Sequence, residues 1–210
     1  MDLIHPHGEL LINRFVEDSK KEATLKKAST LVKIPLDDKN ISDLEMIACG
    51  AMSPLSGFMT EKDYRSVVEN MRLSNGLVWP IPVTLAVNDE LKMSIEGEKQ
   101  AALVDHEEHI LAILNIEDIF QYDKKEEAQK VYLTEDPNHP GVAYVYQQGE
   151  YCVGGSIDMI ASPNHEDFLP YRLSPRQTRD AFKERGWSSV VAFQTRNPIH
   201  RAHEYLQKCA

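Results

Sequence analysis

Residues 190 to 203 read Val-Val-Ala-Phe-Gln-Thr-Arg-Asn-Pro-Ile-His-Arg-Ala-His, and they constrain the fold more than any other stretch of the chain. Val190 to Phe193 is short, apolar and rich in β-branched residues, with Gly186 upstream, which predicts a buried strand. Gln194, Thr195, Arg196 and Asn197 follow at its carboxyl end. Asn197 is a favoured N-cap, and Pro198 suits a first helical position, where a missing N–H costs nothing. A strand that runs straight into a helix belongs to α/β architecture. It aims the first-turn N–H groups and the positive end of the helix dipole at whatever binds there. His200 and His203, three residues apart, share one face of the expected helix. Amide, hydroxyl, guanidinium and imidazole groups at one such junction suit a phosphate-bearing ligand.

Two histidines at this spacing are also common as plain packing or surface residues. A metal site is the other reading of His-x-x-His, but no Glu follows the first histidine and no third ligand is evident. Neither alternative explains why Gln194, Arg196 and two histidines crowd the end of one strand.

The run resembles the ATP sulfurylase (sulfate adenylyltransferase) family, whose motif Gln-x-Arg-Asn-Pro-x-His-x-x-His is met at every fixed position. Other segments resemble the family in the same order along the chain. They are Pro6-His7-Gly8, the loop Ser53-Pro54-Leu55-Ser56-Gly57-Phe58-Met59, His139-Pro140-Gly141-Val142 and Val153-Gly154-Gly155. The resemblance implies a PUA-like β-barrel over residues 1–168. The start of a Rossmann-like nucleotidyltransferase domain would then occupy residues 169–210, an α+β chain overall. It implies attack of sulfate on the α-phosphorus of MgATP, giving adenosine 5′-phosphosulfate and pyrophosphate, with Mg²⁺ carried by the nucleotide and no dedicated protein ligands. Gln194 and Arg196 would hold sulfate. Thr195, Arg196 and Asn197 would be catalytic, with Thr195 and Asn197 beside the α-phosphate, and Asn197, His200 and His203 would bind the nucleotide phosphates. A homo-oligomer and a cytoplasmic location belong to the same set of expectations.

Bulk properties agree with a soluble globular chain. At 210 residues with 42% hydrophobic and 27% charged residues, a real core is within reach. No apolar run has the length of a membrane span, and no basic segment followed by an apolar one marks a secretion signal. Cys49, Cys152 and Cys209 are odd in number and far apart, which argues against a disulfide framework. The net charge is −10, yet Leu173 to Ala210 holds seven Lys/Arg against three Asp/Glu. The part carrying the motif is basic, as anionic substrates favour, and the rest is strongly acidic, which disfavours nucleic acid.

Along the chain, strands are expected at 30–36, 78–87 (edge or bulged, because of Pro80 and Pro82), 100–104, 110–119, 142–146 and 151–160. Helices are expected at 42–48, at 60–71 with Thr60 as N-cap, and at 124–132. Asp105-His106-Glu107-Glu108-His109 falls between two strands and reads as a solvated turn rather than a metal site. Residues 162–173 read as a linker. Ser174, Pro175 and Gln177 then form a capping box for a helix that stops at Gly186. No Gly-x-Gly-x-x-Gly and no Gly-Lys-Ser/Thr occurs, so neither a dinucleotide fingerprint nor a Walker loop is present. One helix, one strand and part of a second helix do not complete a parallel sheet. The expectation is therefore a truncated catalytic domain, with little activity in these residues alone. Two other classes stay open at this point. One is a different His-x-x-His nucleotidyltransferase, which has no need of Gln194 and Arg196 for sulfate. The other is a non-catalytic PUA-like RNA-binding module.

Overall fold

The computed structural model describes residues 3–210. Its centre is a six-stranded mixed sheet built from β1 (Lys33–Pro35), β2 (Gly57–Phe58), β3 (Ala86–Val87), β4 (Gln100–Val104), β5 (Ile110–Gln121) and β6 (Tyr151–Met159). Strand order is β1-β4-β5-β6-β2, with β3 also pairing β6. Among the named strands of the described residues, β1 and β4 run parallel and the other strand pairs are antiparallel. The path is open, ending on β1 and β2, so the pairings among the described residues do not themselves close a barrel.

The long central hairpin is the part most directly written in the sequence. Gln100 to Val104 and Ile110 to Gln121 alternate their side chains between two buried faces. Leu103, Ala112 and Leu114 enter the main core with Ile157 and Met159. Ala102 and Ile113 turn the other way and pack with Ala28 and Ile160. Ala28 ends α1 (Asp18–Ala28), which covers that second face. Burying a side chain such as Ile113 contributes about 1.5–3 kcal/mol. The tight turn between the strands is held by Asp105, whose Oδ1 accepts the Glu107 and His109 amides at 2.9 and 2.8 Å. The Asp-His-Glu-Glu-His run is thus organised as a turn.

The main core is covered by α2 (Asp38–Cys49) and α3 (Glu61–Asn70), which contribute Leu44, Ile47 and Ala48, and Tyr64, Val67 and Val68. Asp37 caps α2 through the Asn40 amide and also accepts the Tyr144 hydroxyl. Thr60 stands at the N-cap of α3 as expected, but its side chain makes no capping bond. Asp118 on β5 does this instead, with Oδ2 accepting the Glu61 N–H at 2.8 Å. A carboxylate there also faces the positive end of the helix.

Three glycines allow this approach. A Cβ on Gly154 would lie 2.5 Å from Asp118 Oδ1 and 2.6 Å from the Met59 carbonyl. Gly155 has φ +151° and faces the β5 bulge at Ile116 to Asp118, and a Cβ on Gly57 would overlap the Gly155 carbonyl. Two sequence segments that resemble the family, the 53–59 loop and Val153-Gly154-Gly155, are therefore in contact as β2 and β6. A third joins them. Gly8 sits under Pro54, and His7 Nε2 lies 2.9 Å from the Val78 carbonyl, with its ring beside Trp79.

Two expectations in this region are corrected. Residues 142–146 are not a strand but part of α6 (Pro140–Gln147). His139 Nδ1 accepts the Gly141 N–H at 3.2 Å, and Pro140 occupies the first turn. Those start signals outweigh the strand propensity of Val142, Tyr144 and Val145. Residues 78–87 shrink to the two residues of β3, because Pro80 and Pro82 lack the N–H a ladder requires. The helix expected at 124–132 is present as α5 (Lys124–Glu127) continued by a π-helical turn, Ala128–Tyr132. A short α4 (Asp89–Ile95), capped by Asn88, was not anticipated.

Past residue 162, α7 (Pro175–Glu184) carries the expected capping box of Ser174 and Gln177 and ends at Gly186, φ +68°. Residues 190–194 form no strand. Val190 and Val191 are 51% and 58% exposed, and no strand among the described residues pairs with them. An isolated apolar segment has extended propensity, but only a neighbouring strand can satisfy its backbone as a ladder. Amide exchange on the 210-residue chain should show this division. Strong protection in β4, β5 and β6 and rapid exchange after Leu173 are expected; equal protection through residues 190–209 would contradict it.

Glu127 offers a second test. It is 5% exposed, its carboxylate accepts the Tyr64 hydroxyl at 2.9 Å, and burial pushes its pKa above the ordinary glutamate value. The folded state therefore holds this proton more tightly than the unfolded chain. Stability from this group is present below the unfolded pKa and is lost as pH rises through the folded one. Glu127→Gln should raise the thermal midpoint at neutral pH, with the gain disappearing below about pH 4. A gain that grows on acidification would reverse the sign.

Candidate active site

The motif residues lie on the surface, between α7 and α8 (Arg201–Cys209). The helix starts later than the sequence suggests. Asn197 is not the N-cap and Pro198 is not the first helical residue; His200 is the cap, with φ −127° and ψ 176°. Thr195 shows why. Its Oγ1 accepts the Asn197 N–H at 3.0 Å and donates to the Asn197 carbonyl at 3.2 Å, closing a local turn. Pro198 in turn disfavours helical dihedrals at the residue before it.

The helix start is satisfied from the histidines themselves. His200 Nδ1 accepts the Ala202 N–H at 3.3 Å, and His203 Nδ1 accepts the His200 N–H at 3.4 Å. This is a reciprocal capping box, with imidazole nitrogens in place of the usual hydroxyl and carboxyl oxygens. The two rings stack 3.9 Å apart at 32°. Phe193 packs on His203 with centroids 5.4 Å apart. The structure therefore brings His200, His203 and Phe193 together, and separately Thr195 and Asn197. Phe193 was not singled out from sequence; an aromatic residue immediately before Gln194 was the available signal.

Gln194 and Arg196 are exposed, and their side chains make no hydrogen bond or ion pair among the described residues. Their donors are free for a ligand. The segment 194–203 contains two arginines and no carboxylate, a composition that attracts anions. No group of three or more His, Cys, Asp or Glu side chains among the described residues is arranged to hold a metal ion. No helix among them is long and apolar enough to cross a membrane. Side-chain hydrogen bonds link this part to the rest of the described residues. His165 Nε2 lies 2.8 Å from the Glu45 carboxylate on α2, and Arg179 of α7 donates to the Ile4 carbonyl at 2.8 Å.

Comparison with known proteins agrees with this layout. Residues 4–162 match the family model of the PUA-like domain, and residues 170–210 match that of ATP-sulfurylase. Sulfate adenylyltransferases from Synechococcus sp. (strain JA-3-3Ab) and Nostoc punctiforme are each 46% identical over 209 residues, covering 100% of this chain and 53% of theirs. The sulfate adenylyltransferase of Symbiobacterium thermophilum is 47% identical over 207 residues, covering 99% of this chain and 52% of its own. The chain thus spans about half the length of the curated relatives it matches. A solved structure described as a hexameric APS kinase from Thiobacillus denitrificans superposes with a TM-score of 0.77 at 31% identity, over 99% of this chain and 37% of that one. With a PUA-like domain over most of its length, the ATP-sulfurylase match at the motif and relatives that align along the whole of this chain, the chain belongs to the ATP-sulfurylase family.

Proposed function

We propose that the protein is a sulfate adenylyltransferase, moving the adenylyl group of MgATP to sulfate with formation of adenosine 5′-phosphosulfate and pyrophosphate. One observation carries the reading. Gln194, Arg196 and the His200–His203 cap stand solvent-exposed at one basic turn before a helix, in a chain 46% identical along its whole length to enzymes of that name. On this reading the chain divides at residue 168. Residues 1–168 form the PUA-like domain, with its sheet curved toward a barrel. Residues 169–210 open a Rossmann-like catalytic domain, in which residues 190–194 become a paired strand. Few activating contacts are expected from residues 169–210 by themselves.

Sulfate is a weak nucleophile, so positioning and charge neutralisation must supply most of the acceleration. Arg196 presents a planar donor fork that matches a tetrahedral oxyanion, and Gln194 adds neutral donors beside it. Attack forms an oxygen–phosphorus bond at the α-phosphorus and breaks the bond to the departing pyrophosphate. Thr195 and Asn197 stand at the α-phosphate in this arrangement, and His200 and His203 meet the phosphate chain at the helix start. The motif has no carboxylate, so Mg²⁺ comes in on the triphosphate oxygens as part of the substrate. A cytoplasmic homo-oligomer fits the same reading; the superposable kinase is described as hexameric.

An enzyme carrying these residues, extended to the length of its relatives, should release pyrophosphate from MgATP only when sulfate or its mimic molybdate is present. Molybdate should sustain turnover, because its mixed anhydride hydrolyses. Oxyanion-independent release, or none, would remove the reading. In the same enzyme Arg196→Ala should lower turnover by about two to three powers of ten, as for other lost transition-state donors. Arg196→Lys should restore little, since a point charge replaces a planar fork. A rate near wild type in Arg196→Ala would place the oxyanion elsewhere.

A further inference from the structure

The histidine cap fixes more than the helix start. His200 Nδ1 and His203 Nδ1 each face a backbone N–H, from Ala202 at 3.3 Å and from His200 at 3.4 Å. A backbone amide only donates, so both Nδ1 atoms present lone pairs. A neutral imidazole that accepts at one nitrogen carries its proton on the other. Nε2 lies across each ring from the capped amide, where it is available to a ligand.

We propose that His200 and His203 form a reciprocal cap that holds both rings in the Nε2–H tautomer, with Phe193 as the positioning residue for His203, so that the pair meets an anion as two neutral N–H donors. The identity of that anion, the phosphate chain of a nucleotide, rests on the transferase reading; the tautomers do not.

Three features support this assignment. The bonds are reciprocal, so each ring's orientation is set by the same helix turn that the other ring caps. The rings stack at 3.9 Å, and Phe193 lies against His203 with centroids 5.4 Å apart at 53°, which restricts rotation about its side chain. A second proton on either ring would turn Nδ1 into a donor that faces another donor, so the cap is open only to the neutral form. Two stacked imidazolium rings would also repel at this separation. Arg196 precedes the pair, Arg201 lies between its two members, and Glu204 follows it. The positive charge offered to an anion then comes from the arginines and the helix dipole, while the histidines supply direction. Hydrogen bonds from preorganised neutral donors need no proton to move before substrate binds.

Long-range proton–nitrogen correlation on the isotope-labelled 210-residue chain, without substrate and at mildly alkaline pH, tests the proposal. Signals are assigned by their loss in His200→Asn and His203→Gln, each of which keeps an acceptor for its amide. The expected result is one unprotonated Nδ1 and one protonated Nε2 for both residues. An Nδ1–H pattern, or averaging between the two nitrogens in either ring, overturns the locked pair. In Phe193→Ala the His203 pattern should move toward averaging, and Phe193→Tyr should keep it. An unchanged His203 pattern in Phe193→Ala removes the role of Phe193. Amide signals from β5 and β6 in the same samples report folding, and Phe193→Leu, with the same expected averaging, serves if the alanine variant does not fold. Because no substrate is present, failure here leaves the transferase reading standing, and absence of pyrophosphate release leaves the tautomers standing.

Discussion

The backbone contact between Gly57, Gly154 and Gly155 is the constraint on which the rest of the PUA-like domain depends. Without side chains at these positions, β2 can lie against β6, and the Asp118 carboxylate can reach the first N–H of α3. That bond sets the start of α3, which delivers Tyr64, Val67 and Val68 to the core. The β5 bulge beside Gly155 aims Asp118 at that point. A methyl group at any of the three would push backbone against backbone, and close-packed interiors yield little to such pressure. Three of the segments that resemble the family outside residues 194–203 are joined in this domain: Gly8 lies against Pro54 of the 53–59 loop, and that loop pairs with Val153-Gly154-Gly155 through β2 and β6.

The two parts of the chain differ in how they bury their apolar side chains. The acidic PUA-like domain holds its apolar residues in two continuous clusters on either face of the sheet. Residues beyond 168 are basic in balance and leave Phe168, Tyr171, Val190, Val191 and Tyr205 exposed. Only local bonds, such as the Thr195 turn and the histidine cap, give the motif shape of its own.

Local chemistry alone determined a good deal of this protein. The apolar runs at 100–104 and 110–119 around a polar turn specified the central hairpin, and Ser174, Pro175 and Gln177 specified the start of α7, because both signals act between near neighbours. The order Gln-Thr-Arg-Asn-Pro-Ile-His-Arg-Ala-His identified the family and the candidate site. What needed the three-dimensional structure was which partner, near or distant, each group found. Asp118, not Thr60, bonds the start of α3, because β5 passes beside it. Val142 to Tyr146 became helix because His139 and Pro140 set its start, while Gly141 left room for the Tyr132 ring. Val190 to Phe193 has the sequence of a strand but is not one in this chain, since a strand exists only where another lies beside it. The helix of the motif began at His200 instead of Asn197 because two imidazole nitrogens, three residues apart, could cap it and each other. Spacing showed that they share a face; only their three-dimensional arrangement showed which atom of each ring turns inward.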